Sequence, residues 1–247
     1  MNTSEARDLG SSKTGNPATE DRSADNAMQF NPAQTELTTA ATDVALGVLA
    51  IACVVYLWRF SEYGSWKVGL WCWMFGMLAA AAFLGALAHG FVWSTNVWDL
   101  LWIPIFLCLG LTVALFVVGA VYDWRGLALA RISLPVMVVM ALVFYGATRV
   151  VSGAFLVFVL YELTAMLFAL AVYGYLAVRG TTSGMGLMTL GVAGSIIAAV
   201  IQATRSVSFT LIWPFDHNGA FHLVQMVALV ALAAGIRASI DVAANSS

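Results

Sequence analysis

Three imidazoles with a carboxylate nearby make the donor set of an open zinc site, in which the fourth position holds a water. The ion lowers the pKa of that water toward 7 and supplies hydroxide at neutral pH. A carboxylate then orients the water, or a ligand's second nitrogen, and takes up the proton. This chain has only three histidines, His89, His217 and His222. Asp43, Asp99 and Asp216 are the candidate carboxylates, and Gln202, Arg205, Asn218 and Gln225 are the candidate polar neighbours. Whether any of them meet depends on the elements that carry them.

Those elements are membrane spans. Of the 247 residues, 61% are hydrophobic and only 10% charged, and the mean hydropathy is +0.88. A soluble domain carries about 25% charged residues to solvate its surface. A water-soluble fold is therefore excluded. The net charge of −2 and the lack of a basic patch give no sign of a nucleic-acid partner. Cys53, Cys72 and Cys108 all lie in apolar runs, where they serve as small hydrophobes rather than as a disulfide framework. Residues 1–37 are polar and nearly free of large apolar side chains, which predicts a disordered tail without the apolar region of a signal peptide.

From Thr38 to about residue 240, apolar stretches alternate with short polar breaks. About 20 residues at 1.5 Å each cross the roughly 30 Å hydrocarbon core, and unpaired backbone is not tolerated there, so the spans are helices. Seven are predicted, at 38–59, 66–90, 98–122, 128–148, 153–178, 185–205 and 217–238. Trp58, Trp66, Trp93, Trp98, Trp124 and Trp213 fall near their ends, as in an aromatic belt. The expected fold is all-α, a seven-helix transmembrane bundle behind a polar tail.

Seven spans put the termini on opposite sides. Arg59, Lys67, Arg125, Arg131, Arg179 and Arg237 fall on the C-terminal side, against Arg149 and Arg205 on the other, with Arg7, Lys13 and Arg22 further off in the tail. Basic residues favour the cytoplasm, so a plasma-membrane protein with its N-terminus outside is expected. The same topology gathers the candidate site. His89 closes the second span, His217 and His222 open the seventh, and Asp43 and Asp99 lie early in the first and third. Gln202 and Arg205 close the sixth, and Gln225 follows His222 by a turn. The opposite face shows no such mixture.

Other roles for these residues are open. Asp99 and Asp43 could simply favour a helix N-terminus, and a histidine near the interface can be a hydrogen-bonded surface group. Glu162 lies near mid-membrane, where an ionised carboxylate is costly. It is either protonated or paired, and is expected to line an internal cavity. Gly76, Ala79, Ala80, Ala86, Gly191, Gly194 and Ala198 are expected to permit close helix packing.

The stretches ALAHGF and PFDHNGAFHLVQ, with Asp99, make the chain resemble the CREST superfamily of seven-helix membrane proteins, which includes alkaline ceramidases and progestin and adiponectin receptors. The resemblance implies that His89, His217 and His222 hold zinc, with Asp99 beside the zinc-bound water. Two features depart from the family. Gly85 stands where a serine is usual, four residues before His89. The helix-seven pair is spaced by five rather than four, a rotation of about 140° instead of about 40°. Two arrangements could accommodate this. If Asn218 caps the helix, His217 lies outside it and can fold back, a reading that Pro214 and Gly219 favour. Otherwise Asn218 takes the inward position and His217 is not a ligand.

The resemblance implies a zinc-dependent membrane hydrolase acting on a lipid amide or related amphiphile. A ligand or metal sensor with the same site, without turnover, is the alternative. A haem protein using His89 and His222 as axial ligands ranks third. A retinal protein is excluded, because the only lysines are Lys13 and Lys67 and neither lies in span seven. Membrane lipids are the expected surroundings, and a lipid-like molecule is the expected substrate.

Overall fold

The computed structural model describes residues 29–59, 65–150, 154–180 and 182–245. Within them are seven helices long and apolar enough to cross a membrane: α1 Gln34–Arg59, α2 Trp66–Gly90, α3 Thr95–Arg125, α4 Leu127–Val150, α5 Ala154–Arg179, α6 Met185–Thr204 and α7 His217–Asn245. The chain is a multi-pass all-α bundle. Large apolar side chains such as Ile132, Leu190 and Val227 lie exposed on its outer faces. Water would not tolerate that surface, and lipid does.

Each helix packs on the next in chain order, and α7 closes the ring against α1. Beside α4 and α6, α5 also packs on α3. Toward the Arg59 end, Leu57, Trp71, Phe75, Tyr173, Met188 and Ile236 form a dense core. The small residues of α6 act as expected at two positions: a Cβ on Gly191 would fall 2.6 Å from Leu232, and one on Gly194 3.0 Å from Ala228. Gly76 has open space instead, with nothing within 4 Å. All three cysteines are free.

Two features of the connections bear on the site. The predicted tail lies outside the described residues as far as Met28, but the described chain and α1 both start before Thr38. Asn31 N–H donates to the Gly90 carbonyl, Val92 N–H donates to that of Gln29, and the Phe30 and Phe91 rings stack at 5.1 Å. These contacts start α1 at Gln34 and place its first turn beside the end of α2. The break between α6 and α7 folds as a small antiparallel hairpin, β1 Phe209–Thr210 and β2 Pro214–Phe215. Its strands are fastened by stacked Phe209 and Phe215 rings, and β2 rests on α1 and α7, which delivers Asp216 to the start of α7.

Candidate functional site

The site grows from one face of α1. Glu36, Thr39, Thr42 and Asp43 recur at three- and four-residue intervals, so one helical face carries them all. Asp43 is 5% exposed. Its Oδ1 lies 3.2 Å from His222 Nε2, while His222 Nδ1 lies 2.9 Å from Thr42 Oγ1. The Thr42 hydroxyl donates its single proton to the Thr39 carbonyl at 2.9 Å. It must therefore accept from the imidazole, which fixes a proton on Nδ1. Nε2 and Asp43 Oδ1 are then close enough to share a second proton, and with that proton on either member the buried pair is neutral as a whole.

The same geometry accounts for Gly85. A Cβ there would fall 2.8 Å from Asp43 Oδ2, inside contact distance, so the Asp43 carboxylate occupies the space that a side chain on α2 would need.

His89, one turn further along α2, makes a second carboxylate–imidazole pair. Its Nδ1 lies 2.7 Å from Glu36 Oε2, and the edges of Trp98 and Trp102 pin its ring from α3. A proton on Nδ1 leaves Nε2 as a free acceptor, the state in which imidazole binds metal or takes a proton.

Both pairs border a cavity of about 150 Å³ between the helices. Asp43, His89, Gln202 and His222 stand at its polar end. Gln225, which donates to Ser195 Oγ at 3.1 Å, and Glu162 line it further along. Its remaining wall is mostly apolar and aromatic, with Met74, Leu78, Phe106, Phe116, Phe158 and Leu229 among its side chains.

The predicted residues divide accordingly. Asp43, His89, Glu162, Gln202, His222 and Gln225 line the cavity; Asp99, Arg205, His217 and Asn218 do not. Asp99 is exposed near the start of α3, and Arg205 is exposed, where it ends α6 in a left-handed conformation, φ 53°. The cap of α7 is Asp216, not Asn218: its Oδ1 accepts the backbone N–H of Asn218 and of Gly219, each at 3.0 Å, and the Thr39 hydroxyl at 3.2 Å. A carboxylate one position before the helix serves those N–H groups directly. The helix thus runs through His217, whose Nδ1 stands 3.8 Å from Asp216 Oδ2. Asn218 turns toward α6 and accepts from Gln202 at 3.3 Å.

A three-histidine zinc centre does not fit this arrangement. Both nitrogens of His222 are engaged within the protein, His217 lies off the cavity, and of the two histidines that line it only His89 keeps a nitrogen open. Among the described residues no group of three or more His, Cys, Asp or Glu side chains is placed to hold an ion.

The opposite end corrects a second expectation, for it does carry a polar mixture. Lys67, 6% exposed, forms a salt bridge to Asp123 Oδ1 and donates to Ser239 Oγ at 2.7 Å. Tyr173 donates to Asp123 Oδ2 at 3.2 Å. Lys67 is thus a buried structural cation, and its weight as a marker of the cytoplasmic side falls.

Glu36, Thr39, Thr42 and Ser195 are site residues that sequence reasoning did not single out. For the first three a signal was present: the helical period of polar residues in ELTTAATD continues across the boundary drawn at Thr38. Ser195 gave none.

Over residues 38–241 the sequence matches a family of unknown function (DUF6962). No curated protein and no solved structure matches the chain.

Proposed function

The chain belongs to this family, DUF6962, and we propose that it is a membrane-embedded binding protein, a sensor or carrier, for amphiphilic molecules. The observation that carries this reading is the cavity itself, an apolar space among the helices with hydrogen-bonding groups concentrated toward one end. Such a pocket takes an alkyl chain along its apolar wall and a polar group at the imidazoles. The test uses decanol as probe and native mass spectrometry of the purified protein. We expect one decanol per chain in the wild type and none in Leu78→Trp, which fills the cavity. Equal binding by both would refute the reading.

A zinc-dependent hydrolase, as the CREST resemblance implies, is the second reading. The Glu36–His89 pair favours it, since a carboxylate on Nδ1 leaves Nε2 as a base or ligand. It predicts near-stoichiometric zinc in the purified protein, lost in His89→Ala, and hydrolysis of an N-acyl amphiphile. A metal-free protein that binds decanol would exclude it.

We also propose that the chain sits in the plasma membrane with the cavity's polar end outside, because Arg59, Arg125, Arg131, Arg179 and Arg237 gather at the other end. A Ser94→Cys chain is expected to label in intact cells. Labelling only after permeabilisation would reverse the orientation.

A further inference from the structure

Glu162 stands apart from the other carboxylates of the cavity. Asp43 and Glu36 are each matched by an imidazole, whereas Glu162 has no hydrogen-bond or ion-pair partner among the described residues, although it lines the cavity. It lies eight residues beyond the start of α5 at Ala154, about 12 Å along the helix axis, well inside the hydrocarbon layer. It is not a substitute partner for the imidazoles. α5 packs on α3, α4 and α6, while Asp43, His89 and His222 belong to α1, α2 and α7, so Glu162 faces the cavity from a different wall.

The ionisable lining of the cavity is one-sided. Among the described residues no lysine or arginine lines it, and its ionisable side chains are Asp43, Glu162 and the two histidines. The Asp43–His222 pair is neutral whichever partner holds its proton, so Glu162 is the carboxyl left without a partner among the described residues, and its ionised form is the one an entering cation would answer. A carboxylate or phosphate headgroup would find no fixed cation here among the described residues. An ammonium would find an unpaired carboxylate in a medium of low dielectric, where a charge-assisted hydrogen bond is strongest. An intramembrane carboxylate with no partner in the protein is expected to serve a ligand.

We propose that the cavity selects cationic amphiphiles, an alkyl chain bearing a protonated amine, with Glu162 as the counter-ion. This rests on the binding reading above and adds the ligand class to it. Decylamine, decanol and decanoate share one chain and differ in headgroup, so their relative binding to the purified protein, by native mass spectrometry at constant detergent, isolates the charge. Decylamine is expected to bind roughly tenfold more tightly than decanol, and decanoate more weakly than either. In Glu162→Gln the preference for decylamine over decanol should vanish. Equal binding of decylamine and decanol, tighter binding of decanoate, or an amine preference that persists in Glu162→Gln would overturn the proposal. The wild-type ranking decides the ligand class even if the Glu162→Gln chain fails to fold. Failure of the binding reading looks different: decanol would then bind Leu78→Trp as well as it binds the wild type.

Discussion

Each end of the bundle buries a cluster of charged and polar side chains, and the two are built to different plans. At the Arg59 end, Lys67 meets Asp123 and Ser239, Tyr173 occupies the other oxygen of Asp123, and the Ser239 hydroxyl donates a hydrogen bond to the Ile236 carbonyl at 2.7 Å. Each charged group and hydroxyl of that cluster is answered by another protein group, and the one buried donor left without a partner among the described residues, Trp71 Nε1, is uncharged. At the His222 end the pairing stops short. His89 keeps Nε2, the Asp43–His222 pair can share a proton that either member holds, and Glu162 has no partner among the described residues. A buried ionic group with all its valences closed holds helices together. One with valences open to a cavity is equipped to receive something.

Removing one member of the closed cluster should have the largest effect. Asp123→Ala leaves the Lys67 ammonium buried without a carboxylate, and the loss of an ion-pair partner in a low-dielectric interior costs about 3–5 kcal/mol. Thermal unfolding in detergent should show a fall of that order. Adding Lys67→Met should restore most of it, because the penalty lies in the stranded charge. Decanol binding by the doubly substituted chain should match that of the wild type. If binding were lost while stability returned, the two clusters would be coupled and the contrast between them would fail.

The open cluster makes its own prediction at Gly85. Gly85→Ser would place a Cβ 2.8 Å from Asp43 Oδ2, forcing the carboxylate off His222 or α2 off α1, at a cost of about 1–3 kcal/mol. In a double-mutant cycle with Asp43→Ala, the cost should largely disappear, since the obstructing atoms are gone. Additive effects would show that the tight approach is not what keeps this position a glycine.

These contrasts also mark what could be read in the chain beforehand. The helices were legible because a bilayer-crossing segment must be long and continuously apolar, and α2 runs from Trp66 to Gly90 as predicted. The gathering of His89, His222 and Asp43 at one end of the bundle follows from topology, which sets which helix ends are neighbours, whereas Glu162, at mid-membrane, was expected only to line an internal cavity. The pairing was not legible. Lys67 and Asp123 are 56 positions apart and each, seen alone, resembles an interfacial charge. Glu36 was counted with a polar tail because composition draws boundaries by averages, whereas a helix start is set by single contacts such as those of Phe30 and Asn31 with the end of α2. Asp99 has the right residue type at the right end of α3, but its place on the helix circumference turns it outward, and end-of-span reasoning carries no angle.

The smallest expected effect concerns the start of α7, where a two-residue difference in the cap decides which way His217 faces. With Asn218 as cap, His217 would lie outside the helix and be free to approach His222. With Asp216 as cap, His217 is the first helical residue, and its ring stands beside the carboxylate that serves Asn218 and Gly219. Asp216→Ala removes an acceptor for two backbone N–H groups and for the Thr39 hydroxyl, and should cost about 1 kcal/mol, the usual loss for a helix cap. Asp216→Ser, an equivalent cap, should restore most of that stability. Asn218→Ala should cost less than Asp216→Ala, since Asn218 contributes only a 3.3 Å bond from Gln202 and a marginal 3.5 Å one to Asp216. Thermal unfolding of the three variants ranks them. If Asn218→Ala proved the more damaging, the cap would belong to Asn218 after all, His217 would be free to turn inward, and the zinc reading would gain the third ligand that this arrangement denies it.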